Sequence, residues 1–310
     1  MKEHITIHEA DTEEEVEFFW RELHEYHKRD IFPNPEDYDE LNYFLDDSEY
    51  RMTIDMLHER NEDRAHYLFF MKNGERIGFA LSVIYTSEDG KLFIMEFCVF
   101  PEFRGDGIGG ECAAALLAWS REKGASYAEL NCNSERSAKF WESIGFVKNG
   151  ADEWGEPLMI LPPTDDVPVT VEMLTDHEDW QLLKLENGYL SEIGESILTE
   201  VKQEKLMEAV HDGKIVFFVA KRGYRAVGMC SVTTAFSTFS CSNVGYFEDF
   251  YIEPAFRKSG IAKKLVFEAK KWCAEHNVSS LVVCCAECDE KMYRHLGFDT
   301  RLGSTYAILI

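Results

Sequence analysis

At 310 residues, the chain is long for a single core and long enough for two domains of ordinary size. Its net charge of −25 at pH 7 argues against a nucleic-acid partner, because a phosphate backbone would be repelled. No segment approaches the ~20 consecutive apolar residues of a membrane-spanning helix, and the segment that starts at Met1 holds no apolar signal core. We therefore expect a cytoplasmic protein with no membrane partner.

The hydrophobic pattern predicts the same order of elements in each half of the chain. An alternating strand opens each half, then come helical stretches, three strands, an amphipathic helix, a strand, a short helix and a last strand. The predicted strands are 5–8, 66–72, 77–86, 91–100 and 127–132 in the first half, and 169–172, 214–221, 225–235, 244–253 and 280–285 in the second. The helical stretches after the opening strands are 12–28 and 48–60, and 176–189 and 197–212. This order indicates a mixed α/β sheet with helices on both faces.

One pattern occurs twice. Residues 97–109 correspond, 153 positions later, to residues 250–262, with Pro, Phe, Arg, Gly and Ile in matching places. The match continues along one face of the helix that follows, and returns at an offset of 152 in residues 141–146 and 293–298. The proline-rich segment 161–168 has no periodicity and indicates a linker. We therefore expect two related domains, residues 1–163 and 164–310.

The centre of each repeat joins the end of a strand to the start of a helix. Such a turn presents unpaired backbone N–H groups at the positive end of the helix dipole, which suits phosphate. Glycine allows close backbone approach and positive φ, and the arginine of each copy adds a charge that can reach the same phosphates. The predicted phosphate contacts are Arg104, Gly105, Asp106, Gly107, Ile108 and Gly109, and Arg257, Lys258, Ser259, Gly260, Ile261 and Ala262.

These motifs resemble a known family. Arg104-x-x-Gly107-x-Gly109 and its second copy are similar to the Q/R-x-x-G-x-G/A coenzyme A loop of GNAT-type N-acetyltransferases, and the later Gly-Phe pairs match too. The resemblance covers about residues 92–160 and 246–300. It implies two tandem GNAT-like domains, each a mixed twisted sheet flanked by helices, with the central fourth and fifth strands splayed apart. The pantetheine arm would lie in that gap, beside Val99 and Ile252.

Acetyl transfer to an amine needs a base, because an alkyl ammonium is almost entirely charged at pH 7. The strand that flanks the acyl group carries Glu96 in the first domain, and Glu248 and Asp249 in the second. Successive strand side chains point to opposite faces, so one of Glu248 and Asp249 faces the site. An acidic residue inside a strong strand pattern is costly to bury without a purpose. Carboxylates that merely lie near a sheet end remain the alternative.

The resemblance also implies an acid that protonates the departing thiolate. In this family it is commonly a tyrosine in the helix after the fifth strand, and Tyr293 fits that place. The first domain has Trp141 there, whose indole N–H has no acidic use. This predicts chemistry in the second domain and leaves coenzyme binding to both. Trp141 as a plain core aromatic is an equal alternative.

The predicted function is transfer of an acetyl group from acetyl-coenzyme A to an amine of a small molecule or peptide. The alternatives are a non-catalytic acetyl-coenzyme A-binding regulatory or scaffold protein, and transfer to oxygen or of a longer acyl chain. Residues 1–163 carry 16 Lys and Arg against 35 Asp and Glu, and residues 164–310 carry 16 against 22, which favours cationic acceptors. We expect a monomer whose two domains form a pseudo-dimer.

The nine cysteines show no framework spacing, and we expect free thiols. Cys285 and Cys288 form a CxxC, with Cys284 beside them. We interpret Cys284 and Cys285 as the end of a buried strand and Cys288 as the start of the next loop. A zinc site would need a second pair of ligands, and none stands out, so no metal is expected.

Overall fold

The computed structural model describes residues 4–34, 48–152, 154–163, 167–174 and 179–303. Contacts between residues divide the chain into two compact units. We call Met1–Val147 with Pro157–Pro163 the N-terminal unit, and Lys148–Glu156 with Thr164–Ile310 the C-terminal unit. Within the described ranges, no helix combines the length and apolarity needed to cross a bilayer.

The first half of the chain forms a sheet whose elements follow the predicted order. They are β1 (Thr6–Glu9), α1 (Glu13–Tyr26), a π-helical turn (His27–Ile31), α2 (Ser48–His58), β2 (Ala65–Lys72), β3 (Glu75–Tyr85), β4 (Lys91–Val99), a 3₁₀ turn (Pro101–Phe103), α3 (Ile108–Glu122), β5 (Tyr127–Asn131), α4 (Glu135–Ile144), β6 (Val147–Ala151) and β7 (Pro157–Leu161).

The second half repeats this order with its own sheet. Its elements are β8 (Val169–Met173), α5 (Asp179–Glu192), α6 (Glu200–His211), β9 (Ile215–Arg222), β10 (Arg225–Ser237), β11 (Ser242–Ile252), a 3₁₀ turn (Pro254–Phe256), α7 (Ile261–Glu275), β12 (Val278–Val282) and α8 (Glu290–His295).

Both sheets are mixed, as predicted. The first has the order β1-β2-β3-β4-β5-β7-β6, and the second, among the described residues, has the order β12-β11-β10-β9-β8. The pairs β4–β5 and β11–β12 are parallel, and the other pairs with a described register are antiparallel. A parallel pair needs a crossover connection, and α3 and α7 supply it.

Alternation along β2 explains why helices cover both faces of the first sheet. Leu68 and Phe70 pack with residues of α3, whereas Tyr67 and Phe69 pack with residues of α1 and α2. Successive strand side chains point to opposite faces, so a strand that is apolar throughout is buried on both sides. In the second sheet, Leu182 and Leu185 of α5 pack on one face, and the buried face of α7 packs against β9, β10 and β12.

The two central strands part in each sheet. β4 pairs with β5 only from Lys91 to Phe93 and then continues to Val99. β11 pairs with β12 as far as Tyr246 and then continues to Ile252. The predicted splay of the central strands is confirmed. It leaves one edge of β4 and of β11 open over the second half of each strand.

Two details of the sequence-based prediction were wrong. The first domain ends in a hairpin of two strands, β6 and β7, where one last strand was expected. β12 ends at Val282, so Cys284 and Cys285 lie in an exposed loop and not at the end of a buried strand. All nine cysteines are free, as predicted. The predicted last strand of the second domain falls outside the described residues.

Candidate functional site

The glycine-rich turn before α3 has the backbone that the sequence predicted. Gly105, Asp106 and Gly107 have φ of 108°, 48° and 80°, and Gly107 is the N-cap of α3. A Cβ on Gly105 or Gly107 would meet no atom within 4 Å, so glycine is favoured there by conformation and not by crowding. A Cβ on Gly109 would lie 3.1 Å from the Phe140 ring, so a side chain there would require the ring to shift.

The turn before α7 has the same form. Lys258 and Gly260 have φ of 62° and 86°, and Gly260 is the N-cap of α7. Ile108 N–H donates to the Gly105 carbonyl at 3.0 Å. A glycine N-cap has no side chain that could cap the other early N–H groups, and such groups at a helix start suit water or a ligand. Open space, positive φ and a helix N-terminus together fit a pyrophosphate group.

The arginine of the first turn makes its contacts inside the protein. Arg104 Nε donates to the Val99 carbonyl at 2.7 Å, and its two terminal nitrogens donate to the Asp30 carboxylate. Burial alone would raise the pKa of Asp30, but hydrogen bonds from Arg104 and Arg29 outweigh it and lower the pKa to about 2. Arg104 therefore braces the end of β4 against the π-helical turn.

The second copy repeats this brace with other residues. Arg257 Nε donates to the Ile252 carbonyl at 2.8 Å, and a terminal nitrogen pairs with Glu192 at the end of α5. The predicted contact of both arginines with phosphate stays a prediction. In this structure each guanidinium already has a carboxylate partner, so phosphate would have to compete with that carboxylate.

The strand carboxylate of the N-terminal unit lies beside a buried histidine. Glu96 Oε1 is 2.8 Å from His27 Nε2, and His27 is 1 % exposed. His27 begins the π-helical turn, a rare element that is frequent at functional sites. The neighbouring Tyr26 has its pKa raised by burial and by the charge of Glu96. A histidine here was not predicted, because His27 and Glu96 are distant in sequence.

In the C-terminal unit the structure separates the two carboxylates that the sequence left as alternatives. Asp249 lies in a bulge of β11 with a φ of 48°, and its carboxylate accepts a hydrogen bond from Ser231 Oγ at 2.6 Å. Burial raises the pKa of Asp249 against this hydrogen bond. Glu248 is exposed, and its carboxylate accepts from Thr233 Oγ1 at 3.2 Å. A bulge re-aims a side chain, and here it turns Asp249 inward.

A third acidic residue, which sequence reasoning missed, approaches Asp249 from α5. Glu186 is only 6 % exposed. Burial, and then the charge of Asp249, raise the pKa of the Glu186 carboxyl to about 8. Tyr189, one helical turn later, has its pKa raised by burial and by Asp249 and Glu186. The sequence did hold one signal for this residue: Glu186 follows the core leucines Leu182 and Leu185 and precedes Tyr189 on the same helix.

The residues at the predicted acid position differ in environment. Tyr293 is half-buried, with its ring centroid 6.1 Å from that of Phe250 on β11. Burial, and then Tyr189, raise the pKa of Tyr293 well above its ordinary value, so the phenol keeps its proton at neutral pH. Trp141 is a buried core residue that packs against Phe97 and Phe146.

Comparison with known proteins agrees with this geometry. The model of the acetyltransferase (GNAT) family matches residues 19–146 and 179–298. The chain belongs to the GNAT family. Two separate matches mean two GNAT domains in tandem, as predicted, and family membership supports acyl transfer as the general activity.

Solved acetyltransferases each align with about half of the GNAT tandem. A probable acetyltransferase is 22% identical over 46% of this chain and 97% of its own, with a TM-score of 0.42. A Trypanosoma brucei acetyltransferase is 21% identical over 46% and 100%, with a TM-score of 0.39. A predicted acetyltransferase from Clostridium acetobutylicum, solved with acetyl-CoA, is 14% identical over 46% and 96%, with a TM-score of 0.40. No curated protein matches the chain.

Proposed function

We propose that this GNAT protein transfers an acetyl group from acetyl-coenzyme A to an amine of a small molecule or peptide, and that the C-terminal unit carries the reaction. One observation carries the proposal. The open part of β11 brings an inward-facing carboxyl, Asp249, and a half-buried phenol, Tyr293, to the same region of the unit. A base and an acid in one partly buried place are what amine acylation needs.

The residues that would hold the coenzyme are those of the two glycine-rich turns and the free edges of β4 and β11. In each unit the backbone N–H groups at the helix start suit the pyrophosphate. The strand edge left open beyond Phe93 or Tyr246 suits a chain that pairs with strand backbone, as the pantetheine arm would. When bound, the coenzyme supplies an activated acetyl thioester.

The residues of the C-terminal unit then have distinct roles. Asp249 takes the proton of the acceptor ammonium, and the neutral nitrogen attacks the acetyl carbonyl carbon. As the carbon–sulfur bond breaks, Tyr293 donates its phenolic proton to the departing thiolate, and the phenolate then takes the second proton of the acylated nitrogen. The proton on Asp249 goes to solvent. The products are the N-acetylated amine and free coenzyme A. The raised pKa of Asp249 makes its carboxylate a stronger base, and Tyr293 holds the proton that it donates at neutral pH.

At the position that matches Tyr293, the N-terminal unit has Trp141, which is packed in its core. It keeps a glycine-rich turn and a carboxylate, Glu96, that is bonded to His27. We therefore assign coenzyme binding to this unit and the main turnover to the other. The pair His27–Glu96 is the group through which the N-terminal unit would take a proton if it also turned over.

A panel of amines assayed with acetyl-coenzyme A, with free-thiol release and product mass as readouts, tests the proposal. Asp249→Asn should lower kcat by ~10²–10⁴-fold, whereas the matched change Glu248→Gln should leave it within about threefold because Glu248 is exposed. The proposal fails if no amine is acetylated, or if Asp249→Asn and Glu248→Gln behave alike.

A further inference from the structure

Glu186 is buried in a place where an unpaired carboxyl is costly. It is 6 % exposed, and among the described residues no hydrogen bond or ion pair is made to its carboxyl group. α5 packs against β10 and β11, and this brings Glu186 close enough to Asp249 for the charge of Asp249 to raise the pKa of the Glu186 carboxyl. A buried carboxyl without a partner loses its hydration and gains nothing in return.

The surroundings of the pair are acidic or neutral. Asp249 meets the Ser231 hydroxyl from β10 and the charge of Glu248 from β11. The other titratable groups that face this place are Tyr189 of α5, Cys230 of β10, and Asp289 and Tyr293 at the start of α8. No cation contributes to the pKa of Glu186 or of Asp249 within the described part of the chain.

The N-terminal unit offers a comparison within the same molecule. Tyr26 faces Glu96 as Tyr189 faces Asp249. One helical turn before Tyr26 the chain has Leu23, a fully buried core residue. One turn before Tyr189 it has Glu186. A fold that accepts leucine at this place does not need a carboxyl for packing, so the carboxyl serves the site.

We propose that Glu186 is a second carboxyl of the C-terminal acceptor site and that, together with Asp249, it selects an acceptor that arrives as a primary alkylammonium ion. This inference rests on the proposed function of the same site. An ammonium group has three N–H donors, enough to reach two carboxylates, and its charge offsets one of their two negative charges. A neutral acceptor, such as an arylamine, would leave a buried carboxylate without a counter-charge. Asp249 remains the base, and Glu186 is a binding residue.

Binding should then release a proton. Without a ligand, the pair holds a proton at neutral pH because the pKa of Glu186 is raised to about 8. An ammonium ion next to both carboxyls favours their ionised forms and lowers that pKa, so a proton leaves when the ammonium binds. Calorimetry with an alkylamine at pH 7, in two buffers that differ in ionisation enthalpy, measures this release. We expect release from the native chain and none from Glu186→Gln.

Kinetics provide a second test, in the full chain with Glu96→Gln to silence the N-terminal unit. Glu186→Gln should raise KM for an alkylamine about tenfold to a hundredfold, the effect of one lost charge-assisted hydrogen bond. It should change kcat little and leave an arylamine of the same size unaffected. Glu186→Leu, the residue of the N-terminal unit, should act in the same direction. Glu195→Gln, an exposed carboxyl just beyond α5, is the charge-matched control.

The unfolding midpoint supplies a readout that needs no substrate. A carboxyl whose pKa is raised on folding binds more protons when folded, so stability falls as pH rises between about 4.5 and 8. Glu186→Gln should flatten this fall. A KM effect shared equally by the alkylamine and the arylamine would overturn the inference, as would equal proton release from both chains. If no amine is acetylated by the native chain, the proposed function fails, and the proton release on alkylammonium binding still decides the role of Glu186.

Discussion

At the scale of single residues, the two units place different groups around the same strand carboxylate. Glu96 is bonded to a buried imidazole, whereas Asp249 is bonded to a serine hydroxyl and lies near a second carboxyl. An imidazole can carry a proton and its charge, while a serine hydroxyl stays neutral and contributes hydrogen bonds alone. The two copies of one fold therefore offer different electrostatic environments to an acceptor.

Tyr293 is the residue with the sharpest expected effect on turnover. Tyr293→Phe removes the proton donor but keeps the ring that contacts Phe250, so kcat should fall by ~10²–10⁴-fold while coenzyme affinity stays nearly constant. Trp141→Phe, at the matching place of the other unit, should only cost packing of about 1 kcal/mol. Activity that survives Tyr293→Phe but is lost with Glu96→Gln would move the chemistry to the N-terminal unit.

A buried ion pair supports the end of β11. Arg225 donates two hydrogen bonds, of 3.1 and 2.7 Å, to the Glu253 carboxylate, and the two residues are 1 % and 6 % exposed. Glu253→Gln removes the negative charge that accepts both of these hydrogen bonds inside the protein. We expect the free energy of unfolding to fall by about 3–5 kcal/mol in chemical denaturation that follows the C-terminal unit.

An exposed pair on α7 is the control for that measurement. Lys271 Nζ lies 3.1 Å from Glu268 Oε2, and Lys271 is largely exposed. Glu268→Gln should change the same free energy by less than about 1 kcal/mol, since solvent screens such pairs. Equal effects of the two substitutions would mean that burial does not set the energy of the Arg225–Glu253 pair.

At the scale of elements, the glycine-rich turn depends on where a strand ends and a helix begins. In each unit a 3₁₀ turn follows β4 or β11, and then two or three residues with positive φ lead into α3 or α7. The bracing arginine ties the last strand residue to the first helical region of the same unit. The turn, the strand end and the arginine that joins them therefore form one arrangement, which occurs once in each unit.

Valine at Gly107 or Gly260 should remove one coenzyme site each. A φ of 80° or 86° is strained for a branched residue by about 1–2 kcal/mol, and the side chain would enter the space left for the phosphates. Calorimetry with acetyl-coenzyme A should show up to two sites in the native chain and one fewer in each variant. Gly74→Val is matched in φ (79°) and open space, but lies in the β2–β3 hairpin. If Gly74→Val lowers binding as much, the loss reports strain and not contact with phosphate.

At the scale of the whole molecule, charge and duplication act together. Tandem duplication gave the chain two GNAT domains, and the net charge of −25 is carried mainly by residues 1–163. A surface of one sign attracts ligands of the other sign before contact, and salt screens that attraction. The acidic bias should therefore affect how fast a cationic acceptor arrives more than how it reacts.

The dependence of kcat/KM on salt should distinguish long-range attraction of a cationic acceptor from contacts made within the site. Raising ionic strength from about 0.01 to 0.15 M shortens the Debye length from about 30 to 8 Å, so kcat/KM for a polyamine should fall while kcat stays constant. An uncharged arylamine of similar size is the control and should show no fall. If polyamine turnover does not depend on salt, or if neutral monoamines are preferred, the acidic surface serves only to keep the chain dispersed.

Much of the fold followed from sequence because it depends on local patterns. Strand-like hydrophobic runs predicted the strands at 66–72 and 91–100, and the helical period predicted the helix now seen as Ile108–Glu122. The repeat at an offset of 153 predicted tandem domains without any contact being known. The hairpin β6–β7 and the exposed loop with Cys284 were missed, because short strands at the end of a sheet carry little periodic signal.

Some features of the candidate site also followed from the sequence, and others required the structure. Sequence by itself determined the two glycine turns, since a positive φ before a helix favours glycine wherever it occurs. It also limited the candidates for the proposed base to Glu96, Glu248 and Asp249. Only the tertiary structure distinguished Asp249 from Glu248, because a bulge reverses which side chain faces inward. It also brought His27 to Glu96 and Glu186 to Asp249, across 69 residues in the first pair. Such contacts depend on how helices pack on the sheet, and no pattern of neighbouring residues along the chain encodes that distance.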